Sequence, residues 1–210
     1  MTTGTLSTQI WGINWTKEFP TLLGSGIRIE YKRFAECKAD AIKIMAQGYK
    51  LNEQPPMFAD KTSSTFKDKF YDHMGDFFIF IDPATNAKIG VAVCVLKDHA
   101  SIDFRTIVLL DEYQNKGIYP EFMELLATIL KRHGVSRIEG DLSPTNGKHH
   151  QVLAKMGFCF TGMSSSSGHG LLNHVVRYLD DDDKAVYTDL FSATRASDKS
   201  ANTQFHRKAG

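Results

Sequence analysis

Residues 108–120 read Val-Leu-Leu-Asp-Glu-Tyr-Gln-Asn-Lys-Gly-Ile-Tyr-Pro and join two different side-chain patterns. Before them, residues 101–110 place apolar side chains on one face of an extended chain, which predicts a strand. After them, residues 120–133 carry apolar side chains at helical spacing, which predicts an amphipathic helix. A turn between a strand and a helix presents unpaired backbone N–H groups at the positive end of the helix dipole. Such a turn is suited to bind an anion, for example a pyrophosphate.

Two residues of this turn favour an anion site. Gly117 lets the backbone approach a ligand without an intervening side chain, and Lys116 adds a positive charge. Neither GxxxxGK[ST] nor GxGxxG is present, so the turn is neither a P-loop nor a dinucleotide-binding loop. Since most glycines before a helix only make a turn, this feature alone does not establish a ligand site.

Working outward from the turn, the chain predicts elements in the order β α α β β β α β α β β. Strands are expected at 27–34, 77–81, 89–96, 101–110, 136–142, 158–163 and 174–179, and helices at 35–47, 66–74, 120–133 and 146–156. The strand–helix–strand unit at the centre implies a parallel pair within a mixed sheet. The fold class is therefore α/β.

The two ends of the chain differ from this middle. Residues 1–26 carry isolated large apolar side chains, and we expect this extension to pack against a domain formed by residues 27–179. Residues 180–210 begin with four aspartates and become rich in Ser, Thr, Ala and Lys, which is typical of a mobile polar tail. One stretch of the tail has apolar residues at helical spacing, namely Val186, Tyr187, Leu190 and Phe191. Such a face would dock on this domain or on a second copy of the chain in a homodimer.

Composition and charge exclude several classes of protein. The net charge of +1 gives no electrostatic case for nucleic acid or an anionic membrane as the main partner. Three dispersed cysteines argue against a disulfide framework, and neither they nor the histidines have metal-ligand spacing, so no metal is expected. Residues 1–10 lack a secretory signal, and the longest apolar run, 89–96, is too short to span a bilayer. We therefore expect a soluble cytoplasmic protein.

The region 27–179 resembles the GNAT superfamily of acyl-CoA N-acyltransferases. The family's phosphate-binding motif is Arg/Gln-x-x-Gly-x-Gly/Ala, and the chain reads Gln114-x-x-Gly117-x-Tyr119. A second family signature is an asparagine, a helix and a Gly-Phe pair eleven residues on, which matches Asn146 and residues 157–158. Each motif is loose by itself, but two at the right separation, with the right strands between them, are fairly specific.

The resemblance implies a GNAT-like mixed seven-stranded sheet, flanked by about four helices and splayed between the strands at 101–110 and 136–142. It also implies that acetyl-CoA is the co-substrate and lies in the splay, with its pyrophosphate on the turn and its pantetheine along the strand end. The residues that would bind CoA are Leu109, Leu110, Gln114, Asn115, Lys116, Gly117, Ile118, Tyr119 and Asn146.

Two positions depart from the family pattern. Tyr119 stands where the family prefers glycine or alanine, so its ring either crowds the phosphates or points away from them. Many members place a tyrosine four residues before the glycine of Gly-Phe, as general acid for the departing CoA thiolate. Leu153 occupies that place here and cannot donate a proton.

Loss of this acid leaves two routes open. CoA thiolate is a good leaving group, because a thiol pKa near ~8.5 is not far above neutrality, and it can depart unassisted. Alternatively His149 or His150, one turn earlier on the same helix, protonates the thiolate. The simpler interpretation of these histidines is that they are surface or packing residues.

The candidate general bases are Asp103 and Glu139, which lie on the two strands that flank the splay. Either carboxylate would take the amine proton directly or through a water molecule. A solvated strand face explains both residues equally well.

The leading hypothesis is an N-acetyltransferase that moves an acetyl or short acyl group from CoA to a primary amine of a small molecule or peptide. The amine attacks the thioester directly, and the protein contributes positioning, carbonyl polarisation and proton removal. Two alternatives remain: a non-catalytic CoA-binding or structural member of the fold, and a longer-chain acyltransferase with a deep apolar pocket.

Overall fold

The computed structural model describes residues 4–49, 61–166 and 170–193, and within these ranges the chain forms seven helices and eight strands. The helices are α1 (Leu6–Trp11), α2 (Trp15–Glu18), α3 (Phe34–Gly48), α4 (Lys61–Met74), α5 (Ile118–Arg132), α6 (Gly147–Lys155) and α7 (Asp181–Ala193). The strands are β1 (Thr21–Leu22), β2 (Arg28–Lys32), β3 (Gly75–Asp82), β4 (Ala87–Leu96), β5 (Ser101–Leu109), β6 (Arg137–Leu142), β7 (Cys159–Ser166) and β8 (Gly170–Tyr178). A single 3-10 turn, Asp111–Tyr113, lies between β5 and α5.

The strands form one mixed sheet in the order β1-β2-β3-β4-β5-β6-β8-β7. Every neighbouring pair is antiparallel except β5–β6, which is parallel because α5 carries the chain back to the starting edge. The α/β class and the central parallel pair agree with the prediction. The expected strand number of seven was wrong by one, because the two-residue strand β1 is too short to have a pattern of its own. The expected set of about four helices did not include the short helices α1 and α2 or the C-terminal helix α7.

The apolar stripe of α5 explains why this helix lies against the sheet. Its fully buried side chains are Phe122, Met123, Leu126, Ile129 and Leu130. The helix is followed by Gly134, whose φ of 81° allows the chain to turn away. The opposite face of the sheet is covered by α3, through Phe34, Cys37, Ala41 and Ile44. Since both faces of β3 and β4 are buried, these strands are continuous apolar runs rather than alternating ones.

Residues 4–25 lie along the α5 side of the sheet and are tied to it by polar contacts. The carboxylate of Asp76, fully buried at the start of β3, accepts hydrogen bonds from the hydroxyls of Thr5 (2.7 Å), Ser7 and Tyr31 (3.1 Å). The carboxylate of Glu121, in the first turn of α5, accepts from the backbone N–H groups of residues 24 and 25. The Gly-Ser-Gly stretch at residues 24–26, just before β2, therefore binds the carboxylate of Glu121.

The C-terminal region begins with α7, which spans the stretch whose apolar spacing indicated a helical face. The hydroxyl of Tyr187 on α7 donates to the carbonyl of Phe160 on β7 at 2.9 Å, and its ring lies 5.2 Å from that of Tyr178 on β8. The remainder of the predicted tail, 194–210, lies outside the described residues. None of the described helices has the length and apolar character needed to cross a membrane.

The central feature of the sheet is the short contact between β5 and β6. These strands pair only through Ser101–Asp103 and Arg137–Glu139, and they separate beyond that point. Immediately after Asp103, a β-bulge at Arg105 changes the register of β5 against β4. The predicted splay is therefore present, and it opens a cleft between β5 and β6 at the N-terminal end of α5.

Candidate active site

The turn before α5 has the backbone geometry of an anion-binding site. Asn115 and Gly117 have φ values of 60° and 78°, which tighten the turn so that α5 starts directly at Ile118. Gly117 is the N-cap and provides no side-chain hydrogen bond to the first turn. The N–H groups at the start of the helix are thus left for a ligand, although Pro120 has none to offer.

Gln114 stabilises this turn from within. Its side-chain amide donates to the carbonyl of Leu109 at 2.9 Å and to the carboxylate of Asp111 at 3.0 Å. Gln114 and Leu109, both predicted to contact CoA, are therefore hydrogen-bonded to each other. Leu110 is held in the sheet, because its N–H donates to the carbonyl of Ile89 at 2.9 Å.

The side chains of Lys116 and Ile118 point in different directions. Lys116 is exposed, and its ammonium lies 5.1 Å from the centre of the Tyr113 ring, at the outer side of the turn. Ile118, the first residue of α5, is buried in the core and can offer a ligand only its backbone. Of this pair, Lys116 is the residue whose charge can contact an anion on the turn.

Tyr119 points away from the turn and into the cleft. Its ring stacks on that of Phe104 at 6.2 Å with an interplanar angle of 12°, and its hydroxyl lies 3.1 Å from Nε2 of His149. The side chain that replaces the family's small residue therefore leaves the turn before α5 open. It occupies space between β5 and α6 instead.

The cleft is lined mainly by apolar side chains, with polar groups at one end. The lining residues are Phe104, Tyr119, Glu139, Gly140, Asp141, Leu142, His149, Leu153, Phe158 and Val175. Gly140 lets β6 lie close to β5 here, because a Cβ at this position would lie 3.3 Å from the carbonyl oxygen of Phe104.

Helix α6 contributes the second wall of the cleft. Asn146 caps the helix, its side-chain oxygen accepting from the N–H of His149 at 3.2 Å. Leu153 is buried in the wall, one turn beyond His149. His150 points elsewhere, since its Nε2 lies 3.2 Å from both the carbonyl of Ser143 and the side-chain amide of Asn173. Of the two candidate histidines, His149 is therefore the one that faces the cleft.

Glu139 borders the cleft, but its side chain lies on the opposite side of β6 from Gly140, in a dense polar network. It accepts hydrogen bonds from Lys97 at 2.6 Å and Arg137 at 2.7 Å, and it lies 3.0 Å from Nε2 of His174. Burial acts to raise its pKa, but the bonds from Lys97 and Arg137 outweigh burial and hold the pKa at about 2. So weak a base is unsuited to take a proton from an amine near neutral pH.

Asp103 is the register partner of Glu139 on β5, but its surroundings differ. Burial raises its pKa, and the partial compensation comes mainly from Arg105, whose Nε donates to the carboxylate at 3.0 Å. The nearby charge of Asp141 acts in the same direction as burial. Of the two predicted bases, Asp103 is the stronger and stands where the two strands begin to separate.

Sequence reasoning missed Asp141 and His174, which complete this polar face. Nδ1 of His174 lies 3.0 Å from Asp141, and its Nε2 bridges to Glu139. The two-residue spacing of Glu139 and Asp141 on one strand indicated a shared face. Nothing local indicated His174, because it reaches Asp141 only through the antiparallel pairing of β6 with β8.

Comparisons with known proteins agree with this geometry. The family model described as the acetyltransferase (GNAT) family matches residues 45–158. The structure is similar to ribosomal-protein-S5-alanine acetyltransferase from Vibrio fischeri, with a TM-score of 0.55 and 18% identity over 74% of this chain and 94% of the other. It is also similar to an IAA acetyltransferase from Bacillus cereus, with a TM-score of 0.54 and 13% identity over 72% and 99% of the two chains.

A third similar structure is a mutant of the spermidine N-acetyltransferase SpeG from Vibrio cholerae, with a TM-score of 0.55 and 14% identity over 74% and 95% of the two chains. At these identities the likeness concerns the fold. Among curated protein sequences, none matches this chain significantly.

Proposed function

Because the chain belongs to the GNAT acetyltransferase family, we propose that it is an acyl-CoA-dependent N-acetyltransferase that moves an acetyl group from acetyl-CoA to a primary amine. The observation that carries the proposal is the uncapped N-terminus of α5, which opens beside the cleft between β5 and β6. A site for a diphosphate thus adjoins a narrow, largely apolar channel, and CoA has both a pyrophosphate and a long thin arm.

In this proposal the pyrophosphate lies on the N–H groups of the turn, with Lys116 adding a charge contact. The pantetheine arm lies in the cleft, where the separated edges of β5 and β6 offer backbone hydrogen bonds. Asn115, Gly117, Ile118 and Tyr119 contribute through their backbone. Gln114, Leu109, Leu110 and Asn146 act by holding the turn, the strand end and α6 in place.

The amine reaches the thioester from the polar face of the sheet. Asp103 and Asp141 supply negative charge beside the point where the strands separate, and this charge favours a cationic amine. The bound ammonium first loses one proton to water. Asp103 then takes a second proton as the neutral nitrogen attacks the carbonyl carbon, directly or through a water molecule. Glu139 serves to hold Lys97 and His174 in place.

The first experiment tests binding of CoA to the turn by isothermal titration calorimetry. Gly117→Val places a β-branched residue at a φ of 78° and should abolish measurable affinity, because the turn must open to relieve the strain. Gly134→Val is the matched control: its φ is 81°, its Cβ also meets only open space, and it lies at the far end of α5. If both variants bind CoA like the wild type, the turn is not the phosphate site.

The second experiment tests turnover. Release of CoA from acetyl-CoA should accelerate with at least one acceptor in a panel containing spermidine and a peptide with an N-terminal alanine. These acceptors are chosen because similar folds include a spermidine acetyltransferase and a protein-alanine acetyltransferase. Both offer a primary amine on a flexible carrier that can reach the open polar face.

A non-catalytic CoA-binding protein is the second candidate, favoured by the Tyr119 ring in the cleft and by the apolar Leu153. It predicts CoA binding through Gly117 with no turnover of any amine. The two experiments therefore separate the two candidates, since only the enzyme passes both.

A further inference from the structure

A tyrosine–histidine pair lies inside the otherwise apolar part of the cleft. The hydroxyl of Tyr119 and Nε2 of His149 are 3.1 Å apart, and the two rings meet edge to face at 5.5 Å. The surrounding wall consists of Phe104, Leu153 and Phe158. A hydrogen-bonded pair in such a wall is not needed for packing, since apolar residues would fill the same space without a desolvation cost.

The protonation states of the pair decide which group can give up a proton. Burial, followed by the effect of neighbouring His150, lowers the pKa of His149, so the ring is neutral near pH 7. In the tautomer with its proton on Nε2, this ring donates to the tyrosine oxygen and leaves the tyrosine O–H free for a ligand. Burial also raises the pKa of Tyr119, which therefore keeps its O–H throughout the neutral range. Of the cleft-lining residues, all within the described part of the chain, Tyr119 is the one that carries a hydroxyl.

We propose that Tyr119 is the general acid of the acetyl transfer, donating the proton of its hydroxyl to the sulfur of the departing CoA, and that His149 is the positioning residue that orients it. The inference rests on the proposed function. The general acid then lies in the first turn of α5, and the Tyr119 side chain lines the cleft together with Leu153 on α6.

The proposed acetyl transfer accounts for each proton and electron pair. The amine nitrogen, neutral after the ammonium has lost one proton to water, forms a bond to the carbonyl carbon and gives a further proton to Asp103. When the tetrahedral intermediate collapses, the carbon–sulfur bond breaks and its electron pair goes to sulfur, which takes the proton from Tyr119. The resulting phenolate regains a proton from water after CoA leaves, and Asp103 returns its proton to solvent.

The first test compares steady-state kinetics of Tyr119→Phe with those of the wild type, using acetyl-CoA and the amine that is turned over in the panel. The variant keeps the ring on Phe104 and removes only the hydroxyl, so kcat should fall about 10²-fold or more while the KM for acetyl-CoA stays within a few fold. Tyr187→Phe is the control, because it removes a bonded hydroxyl on α7, outside the cleft. A Tyr119→Phe enzyme with wild-type kcat would overturn the assignment.

A second test needs no amine and uses CoA and desulfo-CoA as calorimetric probes. If the hydroxyl contacts the sulfur, wild type prefers CoA over desulfo-CoA, and Tyr119→Phe reduces this preference several-fold. An unchanged preference means that the hydroxyl does not touch the sulfur and overturns the proposal. Failure of wild type to bind either probe refutes the proposed function itself, so the two failures are distinguishable.

The role of His149 is tested by restoring a donor to the hydroxyl oxygen. His149→Ala should lower kcat, and His149→Gln, whose side-chain amide N–H can donate the same hydrogen bond, should recover part of the loss at unchanged acetyl-CoA KM. A purely structural role predicts that both variants change thermal stability and KM together, with kcat unaffected, and that result would remove His149 from the assignment.

Discussion

Glu139 gives the sharpest test of how the polar face of the sheet is held together. Its side chain is 7% exposed and is bonded to Lys97 and Arg137, which keep its pKa at about 2 instead of the ordinary 4.5. Because the folded state holds the carboxylate ionised more strongly than the unfolded chain does, this stabilisation is present above about pH 4.5. It is lost as the pH falls towards about 2.

The size of the effect follows from the same two values. Each pH unit between 4.5 and about 2 corresponds to about 1.4 kcal/mol, so the ionised form contributes ~3 kcal/mol at neutral pH. Replacing Glu139 with Gln leaves two cations beside a neutral amide, and the free energy of unfolding should drop by about this amount.

Urea unfolding followed by tryptophan fluorescence measures this change. At about pH 7 the difference between wild type and Glu139→Gln should be ~3 kcal/mol, and at about pH 3 it should shrink to ~1 kcal/mol. Glu124→Gln is the control: its ion pair with Arg177 has a similar length of 2.7 Å, but its side chain is 58% exposed, and the change should cost less than ~1 kcal/mol at either pH. A Glu139→Gln deficit that equals the control, or that does not shrink in acid, would refute the reasoning.

Two further predictions concern the proposed general base, Asp103, and the packing of β4 against β5 at Gly90. Asp103→Asn removes the carboxylate with the raised pKa and should lower kcat about 10²-fold or more near neutral pH, with CoA affinity in calorimetry unchanged; full activity of the variant would exclude Asp103 as the base. Gly90→Ala would place a Cβ 2.7 Å from a backbone carbonyl of β5 and should lower the free energy of unfolding by ~1–3 kcal/mol. The matched change Gly162→Ala meets only open space and should stay within ~0.5 kcal/mol in the same urea experiment, so equal values for the two would contradict the packing argument.

Local patterns were sufficient to predict the elements on either side of the turn before α5. The stripe of α5 and the alternation of β5 repeat every few residues, so a short window of sequence contains the whole signal. Gly117 could be assigned for the same reason, since a left-handed residue before a helix favours glycine wherever it occurs. The parallel β5–β6 pair followed from one strand–helix–strand unit and the handedness of such crossovers.

The direction and partners of the polar side chains depended on contacts between distant parts of the chain. Tyr119 could equally have covered the phosphates, and only the position of Phe104 and of His149, thirty residues away, turns its ring into the cleft. Likewise Asp103 and Glu139 look alike in sequence, yet the arrival of Lys97 and Arg137 beside Glu139 makes one a weak base and leaves the other with a raised pKa. A pKa and a hydrogen bond depend on every group within a few ångströms, and the sheet brings those groups together from strands that are far apart in the chain.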